Sequence, residues 1–255
     1  MTSTVSLEGV KKAVFFPFQG KGWGTKLLIG SALGLANYII PIVPLIPLYG
    51  YAGQIAKRVL IQDEDPELPD WNDWGALFSD GIRIFGATII YMLPGLLLTF
   101  GGYFLMFGMN FAFMLDPSFA NSPEAIAPFL LGSMAGVFIG MLVMMLGMFL
   151  MFVTGLFLPP ALGHLIAKGQ FAAAFRVKEW WAVFRANFSG YLLMFALTYG
   201  INMILVWVVY LFYFTVVLCF VMPFAMAAAT FLMSAIHFSL LAVTYRDGAR
   251  KLEKA

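Results

Sequence analysis

Charge is scarce in this sequence. Lys, Arg, Asp and Glu make up 11% of its 255 residues, against about one-quarter in a soluble globular chain. None of the four occurs from Leu27 to Ala56, from Ile84 to Leu115, from Ala125 to Ala167 or from Ala186 to Tyr245. A soluble domain keeps solvated charge on its faces, so these gaps exclude one. They also exclude the carboxylate or Lys/Arg that coupled transport normally places inside the bilayer. Cysteine is scarcer still: Cys219 stands alone within an apolar run and admits no intramolecular disulfide. The net charge of +2 leaves no electrostatic case for nucleic acid. No His-Glu-x-x-His, phosphate-binding Gly-rich loop or Gly-x-Ser-x-Gly elbow occurs. Neither a cofactor nor a metal is therefore expected, and catalysis is disfavoured.

What fills the chain instead is hydrophobic sequence, 62% of all residues with a mean hydropathy of +0.89. A helix rises about 1.5 Å per residue and the hydrocarbon layer is about 30 Å thick. By that measure 83–113, 129–158, 190–220 and 223–245 are each one full crossing. The run 27–56 is long enough too, but Pro41, Pro44 and Pro47 fall in its middle and each removes a backbone donor. The expected fold is an all-α integral membrane protein: a bundle of four full spans, a proline-broken first segment and interfacial amphipathic helices on the cytoplasmic side. Residues 1–26 form an N-terminal interfacial segment, where Lys11 and Lys12 precede an apolar patch too short for a signal peptide. Residues 27–255 form a single transmembrane domain.

Lys and Arg of short loops stay in the cytoplasm. They concentrate in the loops 57–82 and 167–189 and in the tail from Arg246, whereas Leu115 to Pro128 has Asp116 and Glu124 but no cation. Both termini are then cytoplasmic, provided that 27–56 enters and returns around its prolines. Two stretches echo one another within 27–113 and 129–220. Pro47-Leu-Tyr-Gly50, Ile55-Ala-Lys57 and Trp74 to Gly81 match Pro160-Ala-Leu-Gly163, Ile166-Ala-Lys168 and Trp181 to Gly190 in order and character.

Each echo carries an amphipathic stretch. Val177, Trp180, Trp181, Phe184 and Phe188 share one face of a helix flanked by Lys178 and Arg185, a pattern that lies in a headgroup layer. In the first copy Asp70 can cap a helix with Trp71, Trp74, Phe78 and Ile82 on its apolar face. Trp71, Trp74, Trp180 and Trp181 are thus expected at the membrane interface. Seven of the 13 acids fall in this one loop, and anionic lipid repels them. Asp70, Asp73 and Asp80 are expected to face Arg176, Lys178 or Arg185.

Within the spans, Gly132, Gly136 and Gly140 recur every fourth residue with Gly147 on nearly the same face, so two helices can touch there backbone to backbone. The partner can be a helix of the same chain or of another subunit. Gly30 and Gly34 repeat the spacing once. Met141, Met144, Met145, Met148 and Met151 follow on that helix as flexible apolar filling. His237, Asn202 and Asn110 are expected as buried polar groups bonded between helices, His237 to Thr198 or Tyr199. His164, after Pro159 and Pro160, is expected at an interface.

Lys26-Leu-Leu-Ile-Gly30, Pro47-Leu-Tyr-Gly50-Tyr51 to Arg58, Leu68-Pro69-Asp70-Trp71 with Trp74 and Asp80-Gly81, and Ala161 to Phe175 share an order with one known family. In these features the chain resembles the uncharacterised prokaryotic membrane proteins classed as domain of unknown function 4013. The resemblance implies a compact multi-pass unit of a prokaryotic inner membrane and transfers no activity. The leading expectation is a non-enzymatic packing or accessory subunit that meets lipid and a homo-oligomeric or larger membrane complex. The alternatives are a passive pore or carrier for a small or lipid-like solute, built around the broken segment, and an accessory enzyme acting on lipid headgroups.

Overall fold

The computed structural model describes residues 7–115, 123–213 and 220–254. Among these residues there is no strand. The helices are α1 (Leu7–Phe15), α2 (Trp23–Ala36), α3 (Leu45–Ile61), α4 (Trp74–Leu115), α5 (Pro123–Lys168), α6 (Val177–Ala186), α7 (Phe188–Tyr213) and α8 (Met222–Glu253). Four of them, over Trp74–Gly108, Ile126–Lys168, Phe188–Leu211 and Met222–Glu253, are long and apolar enough to cross a membrane. They overrun the apolar runs at their charged ends. Hydropathy marks where side chains stop being greasy, and a helix that leaves an apolar layer keeps its backbone hydrogen bonds.

Local chemistry sets the helix starts. Asp73, not Asp70, caps α4: its Oδ1 accepts the N–H of Ala76 at 2.9 Å, three residues on, where an N-cap side chain reaches. Asp70 is engaged by Lys26 at 2.9 Å instead. Between α2 and α3, residues 37–44 form turns, and Pro47 sits in the first turn of α3, where a missing N–H costs nothing. Ile42 adopts φ 74° there, a strained conformation for a β-branched residue, and the Asn37 Oδ1 accepts its N–H at 2.9 Å. Tyr38, Ile39, Ile40, Ile42 and Val43 all expose their side chains at this turn.

The chain divides into two compact units, Met1–Ala87 with Leu158–Ala255, and Thr88–Phe157. In the first, α8 runs through the centre and touches α1, α2, α3, α6 and α7. Gly30 and Gly34 let α2 approach it, the first under the ring of Phe231 and the second against the Ala227 backbone, where a Cβ would stand 3.1 Å from the carbonyl oxygen. Tyr51, Ile55, Leu68, Trp71, Leu77 and Phe231 form one core. Tyr51 stacks on Trp71 at 4.0 Å and donates its hydroxyl to the Pro69 carbonyl at 2.7 Å. Burial, helped by the charge of Asp70, raises that hydroxyl's pKa above its ordinary value.

The acids of 63–80 find other cations than those anticipated. Asp63 holds Arg246 and Arg250, Asp65 holds Lys12, Glu64 and Glu67 share Arg58, and Asp80 holds Lys57. Arg176 bonds Gln170 and reaches Glu179 within its own segment. The pairing expected with Arg176, Lys178 and Arg185 is thus replaced by one that ties the acidic loop to α1, α2, α3 and the end of α8. In the second unit α4 and α5 pair as antiparallel helices.

Candidate functional site

The glycine seam lies inside the second unit. A Cβ on Gly102 would stand 2.6 Å from the Gly140 carbonyl oxygen, and one on Gly147 would stand 2.5 Å from the Thr99 nitrogen and 2.7 Å from the Gly95 carbonyl oxygen. Gly95 and Gly102 on α4, and Gly140 and Gly147 on α5, recur at seven residues, so each pair presents one face. Gly140 and Gly147 are consequently spent on a helix of the same chain. Gly132 and Gly136 are half-buried on α5. The side chain of Asn110, like Cys219, lies outside the described residues.

At the charged end of the first unit the indoles divide. Trp71 and Trp180 are buried, whereas Trp74 and Trp181 remain exposed. Trp71 donates to the Lys26 carbonyl at 3.2 Å and Trp180 to the Ala174 carbonyl at 2.9 Å. Two of the four expected interface anchors are therefore core residues, held by an N–H that needs a partner once buried. Lys178 and Arg185 lie on exposed positions of α6.

His164 is the centre of a network rather than a surface group. Its ring is buried, with Nδ1 2.6 Å from the Tyr245 hydroxyl and Nε2 2.9 Å from Glu179. The tautomer that satisfies all three has Tyr245 donating to Nδ1 and Nε2–H donating to the carboxylate. Gly163 makes room for the Tyr245 ring. Beside it Asn187, at the break between α6 and α7, donates to the Thr244 carbonyl at 2.9 Å and accepts from Lys251 at 2.7 Å. These bonds lock α5, α6, α7 and α8 together.

The contact of Asn187 with Thr244 fixes the antiparallel register of α7 and α8. Further along the two helices, polar groups lose their partners. The hydroxyls of Tyr191, Thr198 and Ser239 are buried without a hydrogen-bond partner. Beyond them the helices part around a cleft of ≈ 380 Å³ lined by Asn202, Leu205, Val206, Val209 and Tyr210 from α7 and Met226, Ala229, Thr230 and Met233 from α8. Asn202 is exposed there rather than buried, and among the described residues its amide has no partner. His237, half-buried, falls four residues after Met233 and seven after Thr230, on the face that α8 turns to this seam. Its expected bond to Thr198 is absent, since the Thr198 hydroxyl is unpaired.

A carboxamide left without a partner among apolar side chains costs several kcal/mol. The chemistry of the cleft is hydrogen bonding between apolar walls. Among the described residues no three of His, Cys, Asp and Glu converge as a metal site. No motif in the sequence marks Tyr245, Asn187, Tyr191 or Ser239. One readable signal is there: Thr230, His237, Thr244 and Lys251 recur at seven residues along α8.

A family model described as protein of unknown function (DUF4013) matches residues 33–214, more than half of the chain. The matched interval takes in the α7 wall of the cleft and stops before α8. No curated protein matches, and no solved structure does.

Proposed function

The chain belongs to DUF4013, a family of proteins of unknown function, and we propose that it is a non-enzymatic membrane protein that binds a lipid-like amphiphile between α7 and α8. One observation carries this reading: Asn202 presents an unpaired amide in the wall of an apolar cleft of ≈ 380 Å³. That volume falls in the range of about 300–1,000 Å³ typical of small-molecule sites, which are apolar with a few placed polar groups. Both walls belong to helices that are apolar enough to cross a membrane, where amphiphiles are the abundant small molecules. The alternatives draw less support. The turn at 37–44 exposes isoleucines and a valine rather than the polar lining of a pore, and the loop acids are engaged in ion pairs.

Native mass spectrometry of the protein released from mild detergent tests the reading. A retained amphiphile is expected as a discrete mass adduct. Ala229→Phe, which fills the cleft from the α8 side, should remove that adduct while leaving the unfolding temperature unchanged or higher. An adduct that persists in this variant, or none in the native chain under any mild detergent, overturns the assignment.

A further inference from the structure

We infer that the head group received by this cleft is electrically neutral and both donates and accepts hydrogen bonds, as a hydroxyl or a carboxamide does; the inference rests on the amphiphile reading above. The polar groups available are all uncharged. Asn202 offers two donors and an acceptor. Thr230 spends its hydroxyl proton on the Met226 carbonyl at 2.8 Å, which leaves its oxygen free to accept. Tyr210 adds a phenol hydroxyl to the lining, which can donate and accept.

Nothing nearby answers a negative charge. No Lys or Arg occurs from Ala186 to Tyr245. The cation that does reach the α7–α8 seam, Lys251, is bonded to Asn187 and stands ~31 Å along α8 from Thr230 at the usual helical rise. Asn202 itself lies ~21 Å along α7 from Phe188, well into an apolar layer about 30 Å thick. A phosphate or ionised carboxylate placed there loses its hydration with no counter-charge to replace it. A hydroxyl or carboxamide instead gives the Asn202 amide the partner it lacks among the described residues and can donate to the Thr230 oxygen. The site therefore selects by charge: the same acyl chain is accepted with a neutral head and refused with an anionic one.

Two photoreactive probes with one diazirine-bearing acyl chain separate these cases: a monoacylglycerol and the corresponding lysophosphatidic acid. Each is added at equal concentration to the purified full chain in neutral detergent. Label in α7 and α8 peptides is normalised to label in α4 and α5 peptides, which report contact with the micelle. The monoacylglycerol should exceed the phosphate probe at α7 and α8 by about tenfold, the worth of one well-made hydrogen bond. Asn202→Leu should bring the two probes level, and Asn202→Arg, which supplies the missing cation, should reverse the preference. Equal labelling by both probes, each abolished by Ala229→Phe, leaves the cleft an amphiphile site and overturns its neutrality. Label no higher in α7 and α8 than in α4 and α5 with either probe overturns the cleft reading and this inference with it.

Discussion

The α4–α5 pair and the α7–α8 pair are both antiparallel helices of apolar sequence, yet one closes to backbone contact and the other parts around a cleft. Side-chain size decides the spacing. Gly95, Gly102, Gly140 and Gly147 let backbone meet backbone in the first contact, whereas Leu205, Val209, Met226 and Met233 stand in the second. Polar satisfaction divides the same way. Thr99 returns its hydroxyl to the Gly95 carbonyl at 2.8 Å, but Tyr191, Thr198 and Ser239 hold hydroxyls that nothing meets. Lipid is as apolar as leucine, so burial alone does not drive helices together in a membrane; close packing and hydrogen bonds do. The first pair has spent both on itself. The second leaves hydrogen-bonding groups without partners.

The contrast breaks most sharply at the glycines. Gly140→Leu drives a side chain into the Gly102 carbonyl and Met106, so the α4–α5 contact must open. Thermal unfolding in detergent should register a loss of about 3 kcal/mol, the upper end for overpacking of a tight contact. A variant as stable as the native chain would show that these helices tolerate separation. Next in size is His164→Ala. It strips the Tyr245 hydroxyl and Glu179 of their common partner and leaves a buried phenol unpaired, at a cost of about 2 kcal/mol in the same measurement. A loss under ~0.5 kcal/mol, the low end for a single hydrogen bond, would mean that water replaces the imidazole readily.

The sequence announced some of this and withheld the rest for physical reasons. Four long apolar helices were legible because hydropathy responds to solvent alone. Helix ends were not, because they depend on which acid wins the cap: Asp70 and Asp73 both qualify, and the nearness of Lys26 decides between them. Amphipathic tryptophans on a wheel look alike whether lipid or protein covers them, which is why Trp71 and Trp180 were expected at the interface. The His164 network joins residues 81 positions apart, and nothing local in Pro159 to Lys168 foretells Tyr245. Asn202 was visible as a polar residue in a span. That it lacks a partner is a property of packing.

A third prediction sharpens the comparison by its sign. Substituting an apolar residue should weaken a site whose polar groups are satisfied and strengthen one whose polar groups are not. Asn202→Leu removes an unpaired amide from the cleft, so the chain stripped of bound amphiphile should gain about 1 kcal/mol. Native protein saturated with amphiphile should recover that difference through binding, whereas the variant should show a smaller ligand-dependent shift. A variant less stable than the native chain in both states would place Asn202 among the structural bonds.

The smallest effect is expected where the acidic loop meets the end of α8. Asp63 accepts from Arg246 at 2.9 Å and from Arg250 at 2.7 Å, but 59% of its side-chain surface is exposed, so solvent screens both pairs. The backbone at Asp63 has φ 58°, a conformation that Asn adopts as readily as Asp. Asp63→Asn therefore removes the charge and leaves the turn intact. Stability should fall by less than about 1 kcal/mol at low salt, and the difference from the native chain should vanish near 1 M salt, where the Debye length shrinks to about 3 Å. A loss that survives high salt would mean that the two arginines fasten the loop to α8 through geometry rather than charge, and that this contact belongs with the His164 network as part of the rigid frame beneath the cleft.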